Sequence, residues 1–170
     1  MDRKAFHKLT NGLYIVGAQT GGKRAGCVVN TVLQVTSKPA QLLVAVNKEN
    51  FTCGVIHEAG AFSAAVLSQD IDVRTIGTFG FATSTTTDKF AAVAAKETTA
   101  GAPYPTEGVV AFFGCKVAQE VDCGSHIAFI GEVEDAEVLS EGTPLTYDYY
   151  HSVLKLKTPP KASSFDPDAQ

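Results

Sequence analysis

The sequence predicts a mainly β protein built as an antiparallel barrel. Apolar, β-branched runs of strand length recur along the chain, separated by short turns rich in glycine, proline and asparagine. Helical stretches are few and short, and they do not alternate with the strands as a doubly wound parallel sheet requires. Neither GxGxxG nor GxxxxGKS/T occurs, and the glycine-rich "GGKRAG" precedes a strand pattern rather than a helix, so it is a poor phosphate loop.

The elements follow in order. "DRKAFHKL" (2–9) predicts a short helix, stopped by Asn11-Gly12. "LYIVGAQ" is a strand, and "TGGKRAG" a hairpin loop whose glycines supply positive φ. "CVVNTVLQVTS" (27–37) reads as one long strand, "KPAQ" as a turn and "LLVAVNK" as the next strand. "CGVIHEAG" predicts a short helix closed by Gly60, and "AFSAAVLS" a strand. "DIDVRTIGTFGF" predicts one or two helical turns capped by Asp70 or Asp72. "DKFAAVAAKETTAG" starts helical at Asp88 and frays before Pro103 and Pro105. Three further strands are expected in "GVVAFFGCKVAQEVD", "HIAFIGEVEDAEVLS" and "PLTYDYYHSVLKLK". The polar, proline-rich "TPPKASSFDPDAQ" predicts an extended or partly disordered tail. One domain over 1–155 with a tail over 156–170 is expected.

At 170 residues the chain can bury a sizeable core, and 45% hydrophobic against 19% charged residues is an ordinary globular balance. A net charge of −4 without a basic block excludes nucleic acid and a polybasic membrane anchor as partners. The first apolar run, Leu13–Val16, ends at Gly17, short of a signal sequence or a spanning helix, so a cytoplasmic protein is expected. Cys27, Cys53, Cys115 and Cys123 lack CxxC spacing and read as reduced, buried thiols. Four dispersed histidines give no metal-ligand pattern, so no metal is expected.

"GCVVNTVLQVTSKPAQLLVAVNKENFT" raises a question. Two apolar runs around a turn carry amides and hydroxyls: Asn30, Thr31, Gln34, Thr36 and Ser37, then Asn47, Asn50 and Thr52 with Lys48. Such groups at strand ends either bond to their own backbone or meet a ligand. A ligand satisfying all of them would have one flat, polar-edged end and one anionic end, which describes a flavin nucleotide.

The stretch from Asn11 to Ser68 resembles the flavin reductase-like family, the FMN-binding split barrels. "DCGSHIAFIGEVEDAEVL" is similar to that family's second signature, and "PLTYDYYHSV" resembles its closing strand, so the resemblance covers about residues 5–155. It implies a six-stranded antiparallel split β-barrel of Greek-key type with a few short helices. It also implies a homodimer, FMN in a groove near the dimer interface, and NAD(P)H as hydride donor. By position, Asn30, Thr31, Val32, Gln34, Val35, Thr36 and Ser37 would hold the isoalloxazine and ribityl chain. Asn47, Lys48, Asn50 and Thr52 would hold the phosphate, and Phe79 and Gly80 would border the ring. His151, expected on the closing strand, and His126, opening a strand, are the candidate catalytic residues. Two departures stand out: Gly124-Ser125-His126 replaces the family's Gly-Asp-His, and the closing strand lacks an upstream Arg.

His7 and His57 are expected on solvated helix faces. Phe81, Phe112, Phe113 and Phe129 are expected in the core. Cys27, preceding the expected flavin-binding stretch, is expected to be a buried inert thiol. Arg74 or Lys89 would offer a charge to a nicotinamide 2′-phosphate. Electrons would leave to free flavin, oxygen, ferric complexes or a redox partner protein. A non-catalytic FMN electron-transfer module is the alternative, and an empty split barrel holding haem or another ligand a third.

Overall fold

The computed structural model describes residues 2–159 and 161–165; the side chains of Arg3, Lys4 and His7 lie outside the described set, and with them the expectation for His7. The chain opens with a 3-10 helix, Arg3–Lys8. Strands β1 (Tyr14–Thr20) and β2 (Lys23–Val29) then form a hairpin. Gly21 and Gly22 close it at φ of 55° and 77°, the two consecutive positive values that match strand twist in a two-residue turn. The strand therefore resumes at Lys23, inside the expected loop.

The long strand expected over 27–37 is two strands. The chain breaks at Asn30-Thr31, and β3 (Val32–Ser37) pairs with β4 (Ala40–Asn47) instead. Helix α1 (Phe51–Ala59) follows, ended by Gly60 at φ 63°, and then β5 (Ala61–Leu67). Helix α2 (Val73–Phe81) is capped by Asp72. A 3-10 turn (Lys89–Ala92) leads into a small sheet of β6 (Ala95–Glu97) and β7 (Pro103–Pro105), which the prolines hid from the sequence pattern. Strands β8 (Val109–Asp122) and β9 (His126–Val138) form a long hairpin.

The principal sheet runs β2-β1-β5-β8-β9-β4-β3, all antiparallel. It has seven strands rather than the expected six, because the 27–37 stretch contributes to both of its edges. Those edges are joined by only two residues, Asn30 and Thr31, so the sheet must curl until they approach. Thr31 O then accepts a hydrogen bond from Ala45 N at 3.2 Å. Above and below this hinge β2 and β3 diverge, leaving the barrel split.

Alternation along the strands divides the core. Val16, Cys27, Val44, Phe62 and Phe129 fill the barrel, together with Val55 and Ile56 of α1. Ile15, Val28, Ala65 and Phe112 point outward into a second cluster with Ile76, Phe79, Phe90, Tyr104 and Tyr150. Gly17 and Gly26 sit opposite each other between the layers, where a Cβ on either would come within 2.9 Å of the Phe90 ring.

The closing strand expected in "PLTYDYYHSVLKLK" is a helix. Leu145 bridges backbone to Leu13 and Leu67 as a strand residue would, at 2.9 and 2.7 Å. Then Thr146 accepts from Tyr149 N at 3.1 Å and starts α3 (Tyr147–Ser152). The aromatic, β-branched composition favours a strand locally. The cap and the burial of Tyr150 against the outer cluster override it.

Candidate functional site

Five segments meet at the split end of the barrel: the Asn30-Thr31 hinge, the β4–α1 loop, the start of β9, the end of α2, and α3 with the chain beyond it.

Asn30 is only 3% exposed. Its Oδ1 accepts from Thr31 Oγ1 at 3.3 Å and from Ser163 Oγ at 2.7 Å, and its Nδ2 donates to Ser164 Oγ at 2.9 Å. Val32 leans on the barrel core. Gln34, Val35 and Ser37 are exposed along the free edge of β3, and Thr36 Oγ1 accepts from Lys38 N at 3.4 Å. The hinge and β3 thus form two surfaces, one covered and one open.

In the β4–α1 loop most polar groups have local partners. Asn47 stands opposite His126 in the β4–β9 register, and its Oδ1 accepts from Glu49 N at 2.9 Å. Lys48 Nζ lies 2.7 Å from the Asp122 carboxylate, which holds that carboxyl below its ordinary range. Asn50 Oδ1 accepts from Thr52 N at 3.2 Å and caps α1. Thr52 is wholly buried, with its hydroxyl turned toward the Cys27 thiol rather than outward. That hydroxyl has no hydrogen-bond partner meeting normal geometry. Burial pushes Cys27 up to about 11, so it is an inert thiol at neutral pH. Between this loop and the β1–β2 turn lies a groove of about 460 Å³. Lys23, Lys48, Asn50 and Phe51 line it, with Glu49 and Glu58 also on its walls. Its two ammonium groups and the helix N-terminus stand beside two carboxylates, so the groove carries charges of both signs.

His126 Nδ1 lies 2.9 Å from Ser125 Oγ. Its Nε2 is buried without a partner, and burial lowers the ring's pKa below the ordinary histidine value, partly opposed by the Lys161 main chain. His151 lies in the last turn of α3, not on a strand. Its Nδ1 is 3.0 Å from Leu156 O, which can only accept, so Nδ1 carries a proton; Nε2 faces Thr158 Oγ1 at 3.3 Å.

Phe79 is 1% exposed and packs edge-on against Phe90 at 4.9 Å in the outer cluster, whereas Phe81, expected in the core, ends α2 57% exposed. Gly80 faces Pro159. Lys89 is buried, donating to Gly26 O at 2.9 Å and Phe79 O at 3.1 Å, and Arg74 is engaged by Asp72. Burial closes Lys89 to a 2′-phosphate, whereas Arg74, though paired, is exposed. Sequence reasoning missed Lys161, Ser163, Ser164 and Tyr147. Their only signal was a lysine and hydroxyls in a tail whose composition reads as disorder. Among the described residues no three His, Cys, Asp or Glu side chains form a metal-binding group. Among them, too, no helix is long and apolar enough to cross a membrane.

The profile described as "Flavin reductase like domain" matches residues 6–153. The chain belongs to the flavin reductase-like domain family. It is 44% identical over 165 residues to the ferric-chelate reductase (NAD(P)H) of Archaeoglobus fulgidus, covering 97% of this chain and 98% of the relative. It is 42% identical to the high molecular weight rubredoxin of Moorella thermoacetica, covering 97% of this chain and 72% of that protein. Among solved structures, flavin reductase PheA2 in its native state superposes with a TM-score of 0.71 at 27% identity, over 86% of this chain and 93% of that one. Flavoredoxin from Methanosarcina acetivorans gives 0.70 at 24% identity, over 79% and 74%, a likeness of fold. The split barrel expected from the resemblance is the fold of this flavin reductase-like chain, and the chain is an oxidoreductase.

The residues present fit a flavin. The orphaned His126 Nε2 calls for a ligand group, Asn30 offers both amide functions, and Lys23 with Lys48 suits an anionic end.

Proposed function

We propose that this oxidoreductase takes hydride from NAD(P)H onto FMN and passes the electrons to a small-molecule acceptor, either free flavin, oxygen or a ferric complex. Bound at the split end of the barrel, the flavin supplies the two-electron chemistry that side chains lack. The chain's own residues bind and orient. Asn30 and Thr31 hold the polar edge of the ring, Lys48, Asn50 and Lys23 hold the phosphate, and Gly80 leaves room for a flat face. His126 stays neutral, so its Nε2 hydrogen-bonds a ligand without adding charge. Placement is then the catalytic task, since hydride transfer needs no general base. The observation that carries this is a buried amide and an orphaned imidazole nitrogen at the split end of a family-typical barrel, with Lys48 on the adjoining β4–α1 loop. The 44% identity to a ferric-chelate reductase (NAD(P)H) supports the nicotinamide and the ferric acceptor.

A second reading, an electron-transfer module serving a protein partner without its own nicotinamide site, is favoured by the 42% identity to a high molecular weight rubredoxin. We further propose a cytoplasmic homodimer paired through the open β3 edge, where Leu33 and Val35 are exposed. One experiment separates the two readings. The purified protein, loaded with FMN and titrated anaerobically with NADH and NADPH, should lose its 450 nm band (roughly where flavins absorb) within seconds. A bound flavin that neither nucleotide bleaches would leave the electron-transfer module standing.

A further inference from the structure

Beyond α3 the described chain, residues 153–159 and 161–165, stays on the body. It crosses the site and takes up its polar groups. Ser163 Oγ donates to Asn30 Oδ1 at 2.7 Å and lies 2.8 Å from Thr31 Oγ1. Ser164 Oγ accepts from Asn30 Nδ2 at 2.9 Å and lies 2.6 Å from Tyr147 OH. Thr158 Oγ1 contacts the same tyrosine hydroxyl at 2.7 Å. Lys161 Nζ donates to Glu49 O at 2.7 Å, in the loop that would carry the phosphate, and its main chain lies against His126. Pro159 is buried on Gly80, 3.1 Å from the place a Cβ would take.

We propose that Thr158, Pro159 and residues 161–164 act as a displaceable strap that occupies the flavin site of the free chain and swings out when flavin enters. This rests on the flavin reading given above. Its hydroxyls satisfy the same Asn30 and Thr31 groups that a ring edge would use, so strap and flavin compete for one set of partners. Apart from Pro159 its anchors are polar. Hydrogen bonds between neutral groups gain little over those with water, and holding the segment down loses chain entropy. Closure therefore sits near balance, and a ligand that binds only the open form can displace it. A strap closed ten times out of eleven weakens the apparent flavin affinity about tenfold.

The test uses the full-length chain, with FMN binding followed by flavin fluorescence and backbone hydrogen exchange followed over residues 158–165. In the parent protein, saturating FMN should speed exchange in the strap. The double variant Ser163→Ala/Ser164→Ala should bind FMN about three- to tenfold more tightly and associate faster. Lys161→Ala should tighten binding in the same sense. Slower exchange with FMN, or weaker binding by Lys161→Ala, would make the strap a wall of the filled site and overturn its role as competitor. Unchanged affinity and exchange would place the strap apart from the flavin. Failure of both parent and double variant to bind FMN would instead sink the flavin reading, and the competition with it.

Discussion

Strands β1 and β3 look alike as sequence, "YIVGAQT" against "VLQVTS", yet the fold treats them oppositely. Ile15 and Val16 are wholly buried on opposite faces of β1, because the barrel interior lies on one side and the layer of α2 and Phe90 on the other. On β3, Leu33 is 61% exposed and Val35 48%, since the strand is an edge with no layer outside it. The contrast teaches that apolarity reports a need for cover, and that only topology says whether this chain supplies it. Where the chain covers itself, the apolar residues are structural. Where it does not, they are available to a partner.

The first way to sharpen that contrast is to remove one large side chain from the covered region. Phe62 is wholly buried in the barrel cluster. Phe62→Ala should lower unfolding free energy by about 3–5 kcal/mol, through lost transfer energy and the cavity left behind. Leu33→Ala should change the stability of a single chain by less than about 0.5 kcal/mol. Urea denaturation of both variants checks the pair, and similar losses would mean that β3 is covered after all.

The open edge gives the second prediction. If a second copy covers β3, Leu33→Asp/Val35→Asp places two buried charges in the pairing surface and should weaken dimerisation at least about a hundredfold. Its unfolding by urea at low protein concentration should match the parent's. Sedimentation velocity over a concentration series reads this. A parent that sediments as a monomer at every concentration would remove the dimer.

Much of this was legible in the sequence, for reasons tied to particular residues. Strands β1, β4, β5, β8 and β9 declared themselves because their β-branched runs end at real turns, and Asp72 and Asp88 marked helical starts by their capping chemistry. The Asn30-Thr31 break was invisible because the strand pattern continues through it. What changes there is the pairing partner, a property of the sheet. Helix α3 was misread because one cap, Thr146, outweighs a composition that favours strand. The strap escaped because its partners lie far back in the chain: Ser163 bonds an amide 133 residues earlier. Thr52, expected at the phosphate, turned inward because α1 buries that face in the barrel.

The third prediction concerns Lys48, on the loop between β4 and α1. Charge-assisted bonds to phosphate are worth about 1.5–3 kcal/mol. Lys48→Ala should therefore weaken FMN binding about ten- to a hundredfold and leave riboflavin, which has no phosphate, nearly unaffected. Added salt should weaken FMN binding more than riboflavin binding. Equal losses for both ligands would show that Lys48 acts through the fold, by way of its Asp122 pair, rather than through the phosphate.

The smallest effect expected is a pH dependence at the junction of the two regions, where β9 starts beside the free end of β4. Burial holds the His126 pKa below its ordinary value, with the Lys161 main chain as the weaker opposing influence. Among the described residues no carboxylate bonds the ring; its polar neighbours there are Ser125 and that main chain. A histidine whose folded pKa is depressed binds fewer protons in the folded than in the unfolded chain between the two values. Stability therefore falls as pH drops from about 6.5 through the folded value, and is level above it. His126→Gln keeps a polar side chain of similar reach but cannot titrate, so its melting temperature should decline less than the parent's between about pH 7 and pH 5. The Lys48–Asp122 pair adds acid sensitivity in a separate window, because Asp122 has a lowered pKa and its contribution is lost only below the ordinary carboxylate range. Melting curves at half-unit pH steps should then show the variant and parent parting near pH 6.5 and running parallel below the histidine's folded value. Curves that stay parallel throughout would mean that the His126 ring is solvated enough to titrate alike in both states, and that the covered region ends before the start of β9.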